Sequence, residues 1–536
     1  MNDFLKCVDL NEVAYTENGA LSNKTTGSVM TDQFGKAGNY RGRSITEVFK
    51  DQYELWNEDS EKALRFPFYL RMVTRKTKIN NENVTDKVQK GQGARDESFK
   101  RLLWLAAYQP DVFYKNIWLL PIIGSWKDIW TLLYYDVIFE VYVLKKDIMF
   151  ELINQGLLSD MHVNLVKKFM PRIKTNSKCK TSWTNLTNKF AKEFANYNKM
   201  SYVDYNHLKT SGTAHDFQKI ICARRYDDLE WSKIPGRALN LLVSGKFLNN
   251  HNLVENYTEW VLKQPTAKFT GYVYELAKQV RMQMQLRDRE LFLPLYKKVT
   301  FDKQFAELIN KAKEDDKITG NVWCAIDTSA SMNRLVVGDI TAYDICTSLG
   351  VFFSTLNEGA FHKNVIMFDN VSKVKKLNGN FSDMLLELRE NEIAWGSTNF
   401  QSVVDEIVRI RKENPHISLE DYPKTLLVVS DMQFNATGSG NTNYEEAKNK
   451  LKEVFPEDWI NDFKFIWWNC ISSNKDFPAT IDDSGCYMLS GFDGSIVSMI
   501  CGEEAEMNEK INKTALSMED VINSALNQEV LNYIKL

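Results

Sequence analysis

Asp327, Ser329 and Ser331 occupy alternate positions directly after an apolar run at residues 322–326. The run predicts a buried strand, and the polar residues after it a turn at the strand's end. One carboxylate and two hydroxyls on alternate residues can face one crevice. An oxygen-only donor set of this kind suits a hard divalent cation such as Mg²⁺. Two other stretches carry matching chemistry. Gly396, Ser397, Thr398 and Asn399 form a glycine turn with hydroxyls just before a helical pattern that begins near Phe400. Residues 426–430 form another apolar run, and Asp431 closes it. A competing reading needs no ion, since Ser and Asp in such turns also cap the following helix.

These side chains converge only if the elements that carry them share one edge. Strand patterns fall at residues 322–326, 364–368, 425–430, 463–468 and 486–489. Helical patterns lie between them at 342–356, 382–389, 400–411 and 444–455. Strands alternating with helices predict an α/β doubly wound parallel sheet. Ligands of such sheets sit outside the carboxyl ends of the strands. Asp327 and Asp431 each follow a strand, so both belong at that edge.

The rest of the chain reads differently. At 536 residues it is too long for one core. Residues 1–43 are polar, Gly- and Thr-rich, and predict an extended N-terminal arm. From Ser44, where Glu47 completes a capping box, helical patterns run to 313, with residues 77–93 as a polar loop. We read 44–313 as an all-α array, an irregular solenoid in preference to a compact bundle. Residues 320–536 form the C-terminal α/β domain. The net charge of −3 places any nucleic-acid site in a local patch. The 8 cysteines include no C-x-x-C pair and read as reduced core residues. The start of the chain shows no signal peptide, and the apolar stretch at 117–144 is broken by Pro121, Gly124, Lys127, Asp128 and Asp136. A cytoplasmic protein without a membrane span is expected.

The three pieces around Asp327, Thr398 and Asp431, in this order, resemble the metal-ion-dependent adhesion site of von Willebrand factor A domains. Asp327, Ser329 and Ser331 match that family's Asp-x-Ser-x-Ser motif, Thr398 its loop threonine and Asp431 its second aspartate. The resemblance implies that Ser329, Ser331 and Thr398 hold Mg²⁺ (or Mn²⁺) directly, and the aspartates directly or through water. Water, or a carboxylate or phosphate from a partner, would fill the remaining position. Asn399 follows Thr398 where related Ro-type proteins commonly carry an acid.

Further motifs span nearly the whole chain. They include Thr16-Glu17-Asn18-Gly19-Ala20-Leu21, Ala63-Leu64-Arg65-Phe66, Ile123-Gly124-Ser125-Trp126-Lys127-Asp128, Pro171-Arg172-Ile173 and Ile234-Pro235-Gly236-Arg237-Ala238. Together they resemble the family called domain of unknown function 2828. That family is similar in layout to the TROVE-type Ro proteins, which set HEAT-like helices before a von Willebrand factor A domain. The resemblance implies a ribonucleoprotein scaffold that binds structured or misfolded noncoding RNA. Basic residues offer candidate contacts: Arg172, Lys174, Lys178 and Lys180 with Lys167, Lys168 and Trp183 nearby; Arg224, Arg225 and Arg237; Arg71, Arg75, Lys76, Lys78 and Arg101; and Arg281, Arg287 and Arg289. Lys and Arg neutralise phosphates, and Trp stacks on unpaired bases. The plainer reading is a set of solvated helix faces, with acids such as Asp227 and Glu230 interspersed. The alternative function is a metal-dependent protein-interaction scaffold with no RNA role. Enzyme classes find little support. There is no phosphate-binding P-loop and no G-x-S-x-G elbow, and the 6 histidines lie far apart.

Overall fold

The structure, a computed structural model, describes residues 13–40, 42–78, 84–211, 216–287, 290–315, 318, 320–390, 396–471, 476–491, 494–502, 507, 509 and 516–536. The chain divides into two compact units. One comprises Met1–Arg41 and Trp231–Ser524, the other Gly42–Glu230 and Ala525–Leu536. No helix among the described residues is long and apolar enough to cross a membrane.

The first unit is built on a six-stranded sheet. Its elements, in chain order, begin with a hairpin of β1 (Val13–Tyr15) and β2 (Leu21–Asn23), then α1 (Val29–Ala37). After the second unit, and after the helices Gly236–Ser244 and Val254–Lys263, come α2 (Val273–Gln283), α3 (Leu295–Asp315), β3 (Trp323–Asp327) and α4 (Ala342–Leu356). They are followed by β4 (Asn364–Phe368), β5 (Ser372–Lys376), α5 (Phe381–Glu390), α6 (Gln401–Glu413) and β6 (Thr425–Ser430). Last are α7 (Asn443–Leu451), β7 (Lys464–Asn469) and β8 (Cys486–Ser490). The strand order is β5-β4-β3-β6-β7-β8. Every pair is parallel except β4 with β5. The chain starts in mid-sheet, builds outward through β4 and β5, then returns to the far side of β3 as β6. The order therefore reverses between β3 and β6, where doubly wound sheets open a crevice.

Continuous apolar strands need cover on both faces. On one face Ala325, Val428 and Trp467 pack with Val403, Val404 and Ile407 of α6 and Ala447 of α7. On the other, Ile326 presses into α4 at Gly350, where an added Cβ would lie 2.4 Å from the Ile326 Cδ1. Thr341 and Asp344 form a capping box that starts α4. Arg281 of α2 then grips Asp344 with two bonds of 2.8 Å. That arginine, a candidate RNA contact by sequence, is committed to a carboxylate inside the unit. Of the five strand patterns read from sequence, all are present. The sixth strand, β5, is Ser-Lys-Val-Lys-Lys, and its lysines mark it as a charged edge.

The arm expected at 1–43 takes another form among its described residues. Ser28 caps α1, with its hydroxyl accepting from the Thr31 N–H at 3.3 Å. Met30, Phe34 and Ala37 are buried as the helix lies on β8. Contact is close enough that a Cβ on Gly38 would sit 2.5 Å from the Ser490 carbonyl oxygen. The Asn39 Oδ1 accepts from the Gly491 N–H at 3.0 Å, and its Nδ2 donates to the Asn469 carbonyl. Internal glycine and scattered threonines hid this amphipathic helix. The helical stretch expected as one array at 44–313 also divides. Residues after 230 join the sheet unit, because α2 and α3 pack on α4 and α5. At the other end, residues from 525 onward belong to the second unit.

The second unit is helical, with successive helices paired: Ile45–Glu58 on Ser60–Arg71, and Ser60–Arg71 on Arg95–Tyr108. The Ser44–Glu47 capping box is present. Two paired strands, Arg75–Lys78 and Val84–Gln89, overlap the region at 77–93 read as a loop. Arg101 and Glu97 are both fully buried and pair at 2.9 Å, with Gln52 Oε1 accepting from Arg101 at 3.0 Å. Arg71 is buried against Asp128 at 2.5 Å. Neither arginine can meet a phosphate, so both leave the RNA candidates. Their periodic spacing placed them on a helix but could not reveal which face they occupy. Lys76 and Lys78 side chains, and those of Arg287 and Arg289, lie outside the described residues. Among the described residues five cysteines are buried and free, as a reduced core predicts, while Cys222 is exposed and Cys179 half-buried; Cys7 lies outside the described residues.

Candidate functional site

All five candidate metal ligands stand at the carboxyl edge of the sheet. Asp327 ends β3 in full burial. Its Oδ1 accepts from the Ser329 N–H at 2.9 Å, and its Oδ2 from the Ser430 hydroxyl at 2.5 Å. The Ser329 and Ser331 hydroxyls are 3.1 Å apart. Thr328 ties the turn to β4, its N–H and hydroxyl both donating to the Phe368 carbonyl, at 2.9 and 3.1 Å. Asp431, fully buried after β6, accepts from the Gln433 N–H at 3.2 Å. Met432 between them has φ +61°, a costly conformation for a residue with a side chain. Ser430 helps hold that bend, its hydroxyl accepting from the Met432 N–H at 3.0 Å.

Thr398 comes from the loop between α5 and α6. Its carbonyl accepts from the Asn435 N–H at 2.9 Å, and the next N–H, of Asn399, donates to the Asp369 carbonyl at 2.8 Å. The loop is thereby stitched to the ends of both β6 and β4. Thr398 is almost entirely buried. Ser430 was missed by sequence reasoning, which took it as the last strand residue. Its position beside Asp431 was the available signal.

Two carboxylates so close in a dry edge disfavour each other's charge. Burial raises Asp327 to about 7, and the Asp431 charge adds to the rise. Burial also raises Asp431, against the Ser331 hydroxyl, the Gln433 N–H and the Arg334 guanidinium. No group of three or more His, Cys, Asp or Glu that could hold a metal ion lies among the described residues, so any cation here would rest on the hydroxyls as much as on the two carboxylates. What this edge offers is two carboxylates and three hydroxyls. Those donors fit a hard, octahedral cation, which would supply the positive charge the carboxylates lack.

The basic candidates separate. Arg172 and Lys174 line a groove of about 360 Å³ in the helical unit, together with Lys127, Lys168, Phe169 and Trp183. Its lining holds four cations and no carboxylate. The Lys127 ammonium lies 5.1 Å from the centre of the Trp183 ring, and burial and Arg95 lower its proton affinity. Lys178 and Lys180 are exposed nearby but do not line the groove. Arg224 and Arg225 are exposed, with Arg225 facing Asp228 at 3.5 Å. Arg237 belongs to the other unit and pairs with Glu275 at 2.6 Å. Lys127 was missed as a contact because sequence placed it in an apolar stretch, 41 positions before its neighbour Lys168 in the groove.

Residues 322–532 match a domain of unknown function, DUF7788. The match is to that family and not to domain of unknown function 2828, whose motifs extend well before residue 322. The match begins at β3 and takes in the whole metal-candidate edge. The uncharacterised protein L728 of Acanthamoeba polyphaga mimivirus is 23% identical over 532 residues, covering 92% of this chain and 85% of that protein. Among solved structures, the Deinococcus radiodurans RO (RSR) protein aligns over 93% of this chain and 99% of its own. The identity is 12% and the TM-score 0.42.

Proposed function

We propose that this protein is an RNA-binding scaffold of the Ro-like kind, with a divalent-cation docking edge on its sheet unit. The observation that carries the RNA reading is the groove of Lys127, Lys168, Arg172 and Lys174 around Trp183, which no carboxylate lines. Its volume matches a site for one nucleotide-sized group. Cations there would neutralise successive phosphates, and the indole offers a face for an unpaired base. Noncoding RNA with single-stranded ends or loops fits such a groove better than a regular duplex, whose bases are stacked away.

The docking-edge reading is supported by the von Willebrand factor A-like order of strands and the three-part site. Asp327, Ser329, Ser331, Thr398 and Asp431 would hold Mg²⁺ or Mn²⁺. The ion would act as a Lewis acid that accepts an anionic oxygen from a partner. The residues' own work is to orient the donors. Ser430 fixes one oxygen of Asp327, Gln433 fixes Asp431, and Asn435 anchors the Thr398 loop. No residue at the edge is assigned a bond-breaking role.

The test is to isolate the native protein, sequence the RNA that co-purifies, and titrate that RNA across salt. Four groove contacts to a single strand give a slope of log affinity on log salt of about −3. Salt-independent binding, or a complex holding protein and no RNA, would sink the RNA reading. Calorimetry with Mg²⁺, in which Asp327→Ala loses all binding, tests the edge separately.

A further inference from the structure

The turn between β1 and β2 reaches the docking edge from the start of the chain. The Thr16 hydroxyl donates to the Phe434 carbonyl at 2.6 Å. The Glu17 N–H donates to Gln433 Oε1, and the Asn18 amide to the Gln433 carbonyl, each at 2.5 Å. Gly19, at φ +82°, bridges to Asn435. Gln433 is the same residue whose N–H fixes Asp431. One residue therefore holds the Asp431 carboxylate with its backbone and the Glu17 backbone with its side chain.

The Glu17 carboxylate is tethered far more loosely than its backbone. It is 62% exposed and faces Arg334, itself 50% exposed, at 3.4 Å. An exposed ion pair at that distance contributes little to stability. Arg334 also belongs to the edge, since its N–H donates to the Ser331 carbonyl at 3.0 Å. Glu17 thus stands between the Ser331 turn and the Asp431 turn, and the charges of Glu17 and Arg334 act on Asp431 in opposite senses. Four hydrogen bonds from the turn to residues 433–434 or within it fix the carrier, and a single weak pair restrains the acid.

We propose that Glu17 is the edge's built-in acidic ligand, a carboxylate that moves from Arg334 onto the bound cation and competes with the carboxylate of an acidic partner peptide. This rests on the reading of the edge as a divalent-cation site. Arg334 is then the resting place of the acid, and a partner must displace Glu17 back to it. The Glu17 side chain, on its fixed hairpin, becomes a gate whose position reports whether a partner is docked.

Full-length wild type, Glu17→Gln and Glu420→Gln are compared, the last removing an equal charge from an exposed site on another loop. Mg²⁺ affinity is read by calorimetry, and a fluorescent hexaglutamate peptide is titrated in saturating Mg²⁺. Glu17→Gln is expected to weaken Mg²⁺ about tenfold and to strengthen the peptide about tenfold, while Glu420→Gln changes neither. Equal Mg²⁺ and peptide affinities for wild type and Glu17→Gln overturn the proposal and leave the cation site standing. Equal shifts in both variants also overturn it, since net charge then explains the effect. A wild type that binds no Mg²⁺ removes the cation site itself, and the proposal falls with it.

Discussion

Changing pH across neutrality in the metal-free protein should expose the strain at the sheet edge. Asp327 is fully buried, and its carboxyl is lifted from 3.8 to about 7. A native state that holds a proton the unfolded chain has lost is favoured at low pH. The contribution is fully present below 3.8 and is lost as pH rises through about 7. A rise of that size corresponds to about 4 kcal/mol in all. Between pH 6 and pH 8 the loss is about 1.4 kcal/mol. Urea melts in EDTA at pH 6, 7 and 8 should therefore show falling stability. Saturating Mg²⁺ should reverse the slope, because a cation binds the deprotonated pair and gains affinity as protons leave. Asp327→Asn should flatten both profiles and be more stable than wild type at pH 8 without metal. Identical pH profiles for wild type and Asp327→Asn in EDTA would refute the argument that this buried pair carries the strain.

Other outcomes test separate parts of the molecule. Arg101→Met leaves Glu97 buried with only the more distant Arg43 beside it, and should cost about 3 kcal/mol in denaturant melts, most of it regained in Arg101→Met with Glu97→Leu. Trp183→Ala should weaken single-stranded RNA by about 1–3 kcal/mol with an unchanged salt slope, whereas Lys174→Gln should make the slope shallower by about 0.7. Gly38→Ala forces a Cβ against the Ser490 backbone and should release α1, seen as faster proteolysis of the first 40 residues.

Much of the sheet unit was legible in sequence because its strands are apolar runs closed by polar turns. Residues 364–368 and 425–430 are strands with the bounds read from the text. The edge strand Ser372–Lys376 was not legible, since solvent on one side leaves it no apolar signature. Asp327, Ser329, Ser331, Thr398 and Asp431 could be named because each follows a readable strand or precedes a readable helix. The partners that hold them, Ser430, Gln433 and Asn435, are ordinary polar residues whose role depends on which turn meets which. The basic residues were least legible. Arg71 and Arg172 look alike in sequence, and only burial separates an arginine locked to Asp128 from one that lines a groove.

The hydrogen bond from Thr16 to Phe434 spans 418 positions. During synthesis at about 5–20 residues per second, the hairpin waits roughly 20–80 s for its docking site to emerge. The helical unit's main stretch ends at residue 230, about half-way through that interval, and throughout it Met30 and Phe34 have no sheet to cover. The hairpin's bonds to the sheet edge can close only after residue 434 has been made, although its own residues precede the helical unit in the chain.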